Sequence, residues 1–137
     1  MAHASKVTGV DVDKNCIEMA KGFADEHQLS VTFLCQDVTT VDITGDTVLM
    51  NPPFGAQKSN LHADRAFIEK AFEIAPVIYS LHLSSTIPFI TKLIKALKGH
   101  ISFQKVYQFP LKGVFAFHKK EQMNVEVTLL RILHGAD

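Results

Sequence analysis

Thr47-Val48-Leu49-Met50-Asn51-Pro52-Pro53-Phe54 is the stretch that decides the architecture of this chain. Its first four residues are a short apolar run that reads as a buried strand. Two prolines follow, each with a fixed φ and no N–H donor, so neither a helix nor the ladder continues through them. The strand therefore closes in a rigid turn at its carboxyl end, the edge at which ligands bind in open α/β sheets. The turn offers the Asn51 amide, the Pro52 carbonyl and the Phe54 ring. An amide oxygen and a carbonyl can both accept hydrogen bonds from one planar NH2 group, and a ring can stack on the heterocycle that carries it. The same tetrapeptide also reads as a plain Asn-Pro turn beside a core phenylalanine, so the choice rests on the residues around it.

Upstream, Val7-Thr8-Gly9-Val10-Asp11-Val12-Asp13 is a β-branched strand ending in acid. A helix is expected over residues 14–27, with Asp13 as its N-cap and Ile17, Ala20, Phe23 and Ala24 on one apolar face. Val31-Thr32-Phe33-Leu34-Cys35 reads as a second strand, with Asp37 just past its end. The Asn51 strand comes third. Strand–helix alternation favours parallel pairing, which expects Asp11, Asp37 and Asn51 on one edge of a sheet. Alone, Asp11 reads equally as a helix cap and Asp37 as a strand end.

With Gly-Val-Asp-Val-Asp, then Gln-Asp-Val, then Asn-Pro-Pro-Phe-Gly in order, the chain resembles the class I S-adenosylmethionine-dependent methyltransferases. Within them it is similar to the amino-methylating group, and to its methyltransferase-like-five branch, whose members methylate N6 of an adenosine in small-subunit ribosomal RNA. The resemblance extends over nearly the whole chain. It implies a Rossmann-like sheet with S-adenosylmethionine as cofactor. Asp11 would hold the cofactor's ribose hydroxyls, with Val12 beside it. Asp37 would accept from the adenine amino group, and the Val38 backbone would meet the ring. Asn51 and Pro52, in the rigid frame of Pro53, would hold the target amine, with Phe54 against the target base. The resemblance also implies RNA as a partner and a small zinc-binding activator protein as a second one.

One departure stands against these matches. Class I methyltransferases open with a strand and a Gly-rich loop that approaches the cofactor closely, which needs residues without a Cβ. Here only six residues, 1–6, precede the first strand, and none is glycine. The seven glycines of the chain, at 9, 22, 45, 55, 99, 113 and 135, never fall close together. The expectation is an N-terminally truncated domain, lacking its first strand and Gly-rich loop, that binds S-adenosylmethionine weakly or not at all and is inactive as it stands. In the family's order that strand lies between the Asp11 and Asn51 strands, so its loss leaves two unpaired edges open to self-association.

The remainder reads as the second half of one domain spanning residues 1–137, a length that supports a sizeable core. Residues 63–74 form a helix and 77–83 an apolar strand. Ser85 or Thr86 caps the next helix, with Pro88 in its first turn, a stripe of Ile90, Ile94 and Leu97, and Lys98-Gly99 at its end. Three β-rich segments follow, at 101–109, 114–117 and 123–133, with turns at 110–113 and 119–122. They are expected to include an antiparallel C-terminal hairpin.

Net charge is zero, but it is unevenly spread. Residues 1–85 hold six Lys/Arg against eleven Asp/Glu, a balance of −5, and residues 86–137 hold eight against three, a balance of +5. Lys112, His118, Lys119 and Lys120 interleave with Phe115 and Phe117, a pattern that suits phosphate tracking and base stacking as well as it suits a solvated hairpin. Cys16 and Cys35 read as reduced core thiols of a cytoplasmic protein, and no metal site is expected among the scattered histidines. His62 and Asp64 read as capping or surface residues, with the border of the target pocket as a second reading. No stretch is long and apolar enough to span a membrane, and none reads as a signal peptide.

Two other enzymatic readings use the same tetrapeptide: glutamine-N5 methylation of proteins, where tyrosine is usual in place of Phe54, and DNA adenine methylation, which usually brings a larger recognition domain. A non-catalytic fragment that retains only partner or RNA binding is the reading from a different class.

Overall fold

A computed structural model describes residues 3–52, 58–111 and 123–135, with backbone alone for 58–63, 111 and 123. The chain divides into two compact units, residues 1–42 and 43–137.

The first unit is a strand–helix–strand. β1 (Thr8–Asp11) pairs in parallel with β2 (Thr32–Cys35), Thr8 opposite Thr32 and Asp11 opposite Cys35. Between them runs α1 (Lys14–Glu26). Asp13 caps it as expected, its carboxylate accepting the backbone N–H of Asn15 at 2.8 Å and of Cys16 at 3.4 Å. The helix closes through a left-handed residue, Gln28 (φ 54°), with Gln28 N–H donating to Asp25 O and Leu29 N–H to Ala24 O. That pair of bonds satisfies carbonyls left open at a helix end.

The expected apolar face of α1 is only partly buried. Ile17 and Ala24 are inside, whereas Phe23 is 58% exposed and stacks on His27 with ring centroids 4.0 Å apart. A two-stranded sheet is narrow, and a helix lying on it buries a thin stripe rather than a broad face. The same narrowness corrects the reading of the cysteines. Cys16 and Cys35 are both exposed free thiols, not core residues, and the neighbouring Asp13 charge raises the Cys16 pKa.

The second unit holds β3 (Thr47–Met50), α2 (Lys58–Ile74), β4 (Val77–Leu83), α3 (Ile87–Ala96), β5 (His100–Leu111) and β6 (Met123–Leu133). Strand order is β3-β4-β6-β5; β3 and β4 are parallel, and β6 runs antiparallel to both neighbours. The core comprises Ile68 and Ala71 of α2, Ile90, Leu93 and Ile94 of α3, and Ile78, Leu130 and Ile132 of the sheet. Burying each such isoleucine contributes about 1.5–3 kcal/mol. Alternate residues of β4, namely Ile78, Ser80 and His82, are buried, as a period-2 strand requires.

The α/β class, the four parallel-type strands and the antiparallel C-terminal pair are as expected, but the strands are bonded in two sheets rather than one. β1–β2 is separate from the four-stranded sheet. In the order that the resemblance implies, β1 and β3 are not direct neighbours, so no ladder is due between them. β5 also runs further than expected and includes Pro110, read above as the start of a turn. β5 is an edge strand, where a missing N–H is tolerated. The expected segment at 114–117 lies outside the described residues. Helix α2 begins at Lys58, five residues ahead of its expected start. No described helix is long and apolar enough to cross a membrane.

Candidate active site

In the first unit the acidic residues gather at the carboxyl end of a parallel pair. Asp11 is the last residue of β1, exposed, and its Oδ1 accepts the Asp13 N–H at 2.8 Å. The cap of α1 is thus Asp13, and Asp11 holds Asp13 in place. Gln36 N–H donates to the Asp11 carbonyl at 2.9 Å, which brings the chain just past β2 alongside. Asp37 follows and starts a 3-10 turn, Val38–Thr40, accepting Thr39 N–H at 2.8 Å and Thr39 Oγ1–H at 2.7 Å. These two hydrogen bonds, the backbone one foremost, lower the Asp37 pKa. Beside the two carboxylates, Val12 is 71% exposed and Val38 is half-buried.

This donor set fits an adenosyl group. Ionised carboxylates are acceptors only, suited to a pair of ribose hydroxyls and to an exocyclic amine, and the exposed Val12 and half-buried Val38 give a purine ring apolar surface. Each aspartate also has a local role in its turn, so its capping duty and a ligand-binding one are compatible.

In the second unit, Asn51 and Pro52 follow β3 at the carboxyl end of the parallel β3–β4 pair. Asn51 is exposed and Pro52 is buried. Register places Met50 opposite Ser80. Pro53 and Phe54 lie outside the described residues.

Sequence reasoning missed a buried polar chain next to this turn. Ser80 Oγ lies 2.5 Å from His82 Nε2, and His82 Nδ1 lies 3.3 Å from Asp64 Oδ1. Asp64, His82 and Ser80 are 1%, 1% and 0% exposed, so the capping or surface reading of Asp64 is wrong. Among the described residues, the second carboxylate oxygen, Oδ2, has no hydrogen-bond partner. Burial pushes the Asp64 carboxyl up to about 6 and the His82 imidazole down to about 4. At neutral pH the contact is therefore a hydrogen bond from a neutral imidazole to a carboxylate, not an ion pair. The signal available in the sequence was a serine and a histidine at alternate positions of an otherwise apolar strand. The atom pattern matches a Ser-His-Asp triad, but a nucleophile must meet its substrate and this serine is sealed from solvent. Hydrolytic chemistry is excluded at this place. Among the described residues no group of three His, Cys, Asp or Glu side chains forms a metal site.

Residues 1–75 match the family model described as the methyltransferase small domain. The chain belongs to that family. The family's methyl donor is S-adenosylmethionine, and the fold is the Rossmann-like one of the class I methyltransferases. The chain is 36% identical to an uncharacterized protein of Methanocaldococcus jannaschii over 94% of its own length and 64% of that protein's. It is 31% identical to the rRNA N(6)-adenosine-methyltransferase METTL5 of Danio rerio over 93% of its own length, again 64% of the relative's. The chain thus spans a little under two thirds of these curated relatives. Among solved structures, it is similar to a protein of Pyrococcus horikoshii proposed to be an RNA methyltransferase, with a TM-score of 0.83, 31% identity, and coverage of 97% of this chain and 65% of that one.

Proposed function

We propose that this chain is part of an enzyme that methylates N6 of an adenosine in RNA, with small-subunit ribosomal RNA as the substrate class. The observation that carries the reading is the exposed Asn51 beside a buried Pro52 at the carboxyl end of β3, in a chain similar to METTL5. An exocyclic amine is a poor nucleophile because its lone pair is delocalised into the ring. The Asn51 side-chain oxygen and the Pro52 carbonyl would each accept one of its hydrogens. Two such acceptors favour a pyramidal nitrogen and stabilise the charge that develops on it. Bound S-adenosylmethionine supplies the electrophilic methyl group. Asp11 and Asp37, flanked by Val12 and Val38, would hold its ribose and adenine. Phe54 would stack on the target base, which must leave any helical stack to enter.

The C-terminal strands favour RNA as the substrate. Phe103, Tyr107 and Phe109 are exposed along β5, and the Lys105 ammonium lies 5.3 Å from the Tyr107 ring centroid. Aromatic faces with interleaved cations suit single-stranded nucleic acid. The basic stretch with Lys112, Phe115, Phe117 and His118–Lys120 lies outside the described residues. The reading extends to one domain over residues 1–137, a cytoplasmic location, a small zinc-binding activator as partner, and self-association through the open edges of β1 and β3.

The test is transfer of labelled methyl from S-adenosylmethionine to ribosomal RNA, followed by nucleoside analysis. It is run on this chain, expected to be weak because no two of its glycines are close in sequence, and on a form extended upstream with a Gly-rich strand–loop. Labelled N6-methyladenosine supports the reading. Label in a protein glutamine, with none in RNA, overturns it in favour of glutamine-N5 methylation. RNA binding without transfer by either form leaves a non-catalytic binding module.

A further inference from the structure

We propose that Asp64, His82 and Ser80 are positioning residues for the amine-holding turn, forming a buried relay that locks the helix after the turn to the strand beside it. The inference rests on the role given above to Asn51 and Pro52.

The relay touches the chain on both sides of the turn. β3 is tied to β4 by its ladder, with Met50, the residue before Asn51, opposite Ser80. The ladder ends there; Pro52, two residues after Met50, and His82, two residues after Ser80, are both buried. Asp64 belongs to α2, the next element after the turn, and reaches His82. The strand entering the turn and the helix that follows it are thus fastened to Ser80 and His82 of β4.

The relay is also costly. Ile78 and Ile68, on the same strand and the same helix, are fully buried apolar residues, so apolar packing is available here. Replacing a buried polar network by apolar side chains of similar volume is commonly neutral or stabilising. Asp64 Oδ2, sealed from water and without a partner among the described residues, is costly, and such a group calls for an explanation other than stability.

The relay has a direction. A neutral imidazole donates from one nitrogen and accepts at the other. With Asp64 ionised, His82 Nδ1–H donates to Asp64 and Nε2 accepts from the Ser80 hydroxyl. The ring tautomer, and with it the orientation of the serine, is fixed. None of the three reaches solvent, so none touches substrate, and each acts through the turn.

Long-range 1H–15N NMR on the 137-residue chain reads the His82 tautomer and, in the same samples, the side-chain amide resonance of Asn51. The expected result is an Nδ1–H tautomer in the native chain and a shifted Asn51 amide in Ser80→Ala, Asp64→Asn and His82→Leu. In the extended form, each variant should lower kcat per folded molecule tenfold or more with KM for RNA and cofactor Kd unchanged, the folded fraction being measured because a single substitution leaves a buried partner unpaired. An unmoved Asn51 resonance, or activity that falls only with the folded fraction, overturns the relay. If His82→Leu does not fold, Ser80→Ala, which removes one oxygen, decides. Should the native enzyme methylate no RNA, the functional reading fails by itself, and the Asn51 resonance still decides the relay.

Discussion

Replacing Gly99 by alanine is expected to destabilise the protein by about 1–3 kcal/mol, the usual range for an overpacked core. Backbone strain is not the reason. Helix α3 ends in a closure with Lys98 N–H donating to Lys95 O at 3.0 Å and Gly99 N–H to Ile94 O at 2.9 Å. The left-handed residue in it is Lys98, with φ 64°, not the glycine beside it. Gly99 is needed for room. A Cβ there would lie 2.6 Å from Cζ and 2.8 Å from Cε2 of the Phe72 ring. Carbon atoms pack best at about 3.5–4.0 Å, so the ring would have to retreat by roughly 1 Å. It is held: Phe72 stacks on His134 at 4.1 Å and 14°, and His134 Nε2 lies 2.6 Å from the Ala75 carbonyl. Lys98→Gly should act in the opposite sense and stabilise by roughly 1 kcal/mol, because a side chain leaves the left-handed region. Urea denaturation of both variants measures the two signs. A double-mutant cycle isolates the cause, since Gly99→Ala made in a Phe72→Leu background should cost little. A neutral Gly99→Ala, or a penalty that survives removal of the ring, refutes the steric argument.

In the extended form, Asn51→Ala should reduce methyl transfer on the order of a hundredfold or more while cofactor affinity, followed by calorimetry, stays level. Asp11→Ala should show the reverse pattern in the same two assays, with weaker cofactor binding as the primary defect. Asp13→Ala removes the cap of α1 and should cost about 1 kcal/mol, seen as a lower helical signal on heating. Thermal melts from pH 4 to pH 8 test the buried pair. Asp64 has its pKa raised by burial to about 6, so its contribution is full at low pH and lost as pH rises through 6. His82, depressed to about 4, contributes above its ordinary value and loses that contribution as pH falls through 4. Asp64→Asn should therefore gain on the native chain as pH rises from 4 to 7 and stay level beyond; a pH-independent difference counts against the assignment.

Much of the fold was legible because its signals are local. Pro52 and Pro53 had to stop β3, Asp13 had to cap the helix that follows it, and the apolar run 77–83 had to be a strand. The candidate site was legible where side chains sit at strand ends, since strand order alone places Asp11 and Asp37 together. What could not be read depends on neighbours distant in sequence. Asp64 sits in a helix between Ala63 and Arg65 and looks like a surface group until His82 is found opposite it. Phe23 has the spacing of a core residue, and only the width of the sheet beneath α1 leaves it exposed. At Lys98-Gly99 the helix end was in the sequence, but the need for glycine comes from the Phe72 ring, which fills the space beside Gly99.

The first unit has a kinetic consequence. It rests on two strands of four residues each with one helix across them, and so small a parallel pair holds few protected amides. Its backbone should open far more often than β4 and β6, and hydrogen exchange will grade the two units separately. The Asp11–Asp37 edge belongs to the part that opens. A ligand seated there binds only the closed form, so its measured affinity is the intrinsic one scaled by the closed fraction. Whatever firms up β1 and β2 will then read out as tighter binding without adding a single contact to the ligand.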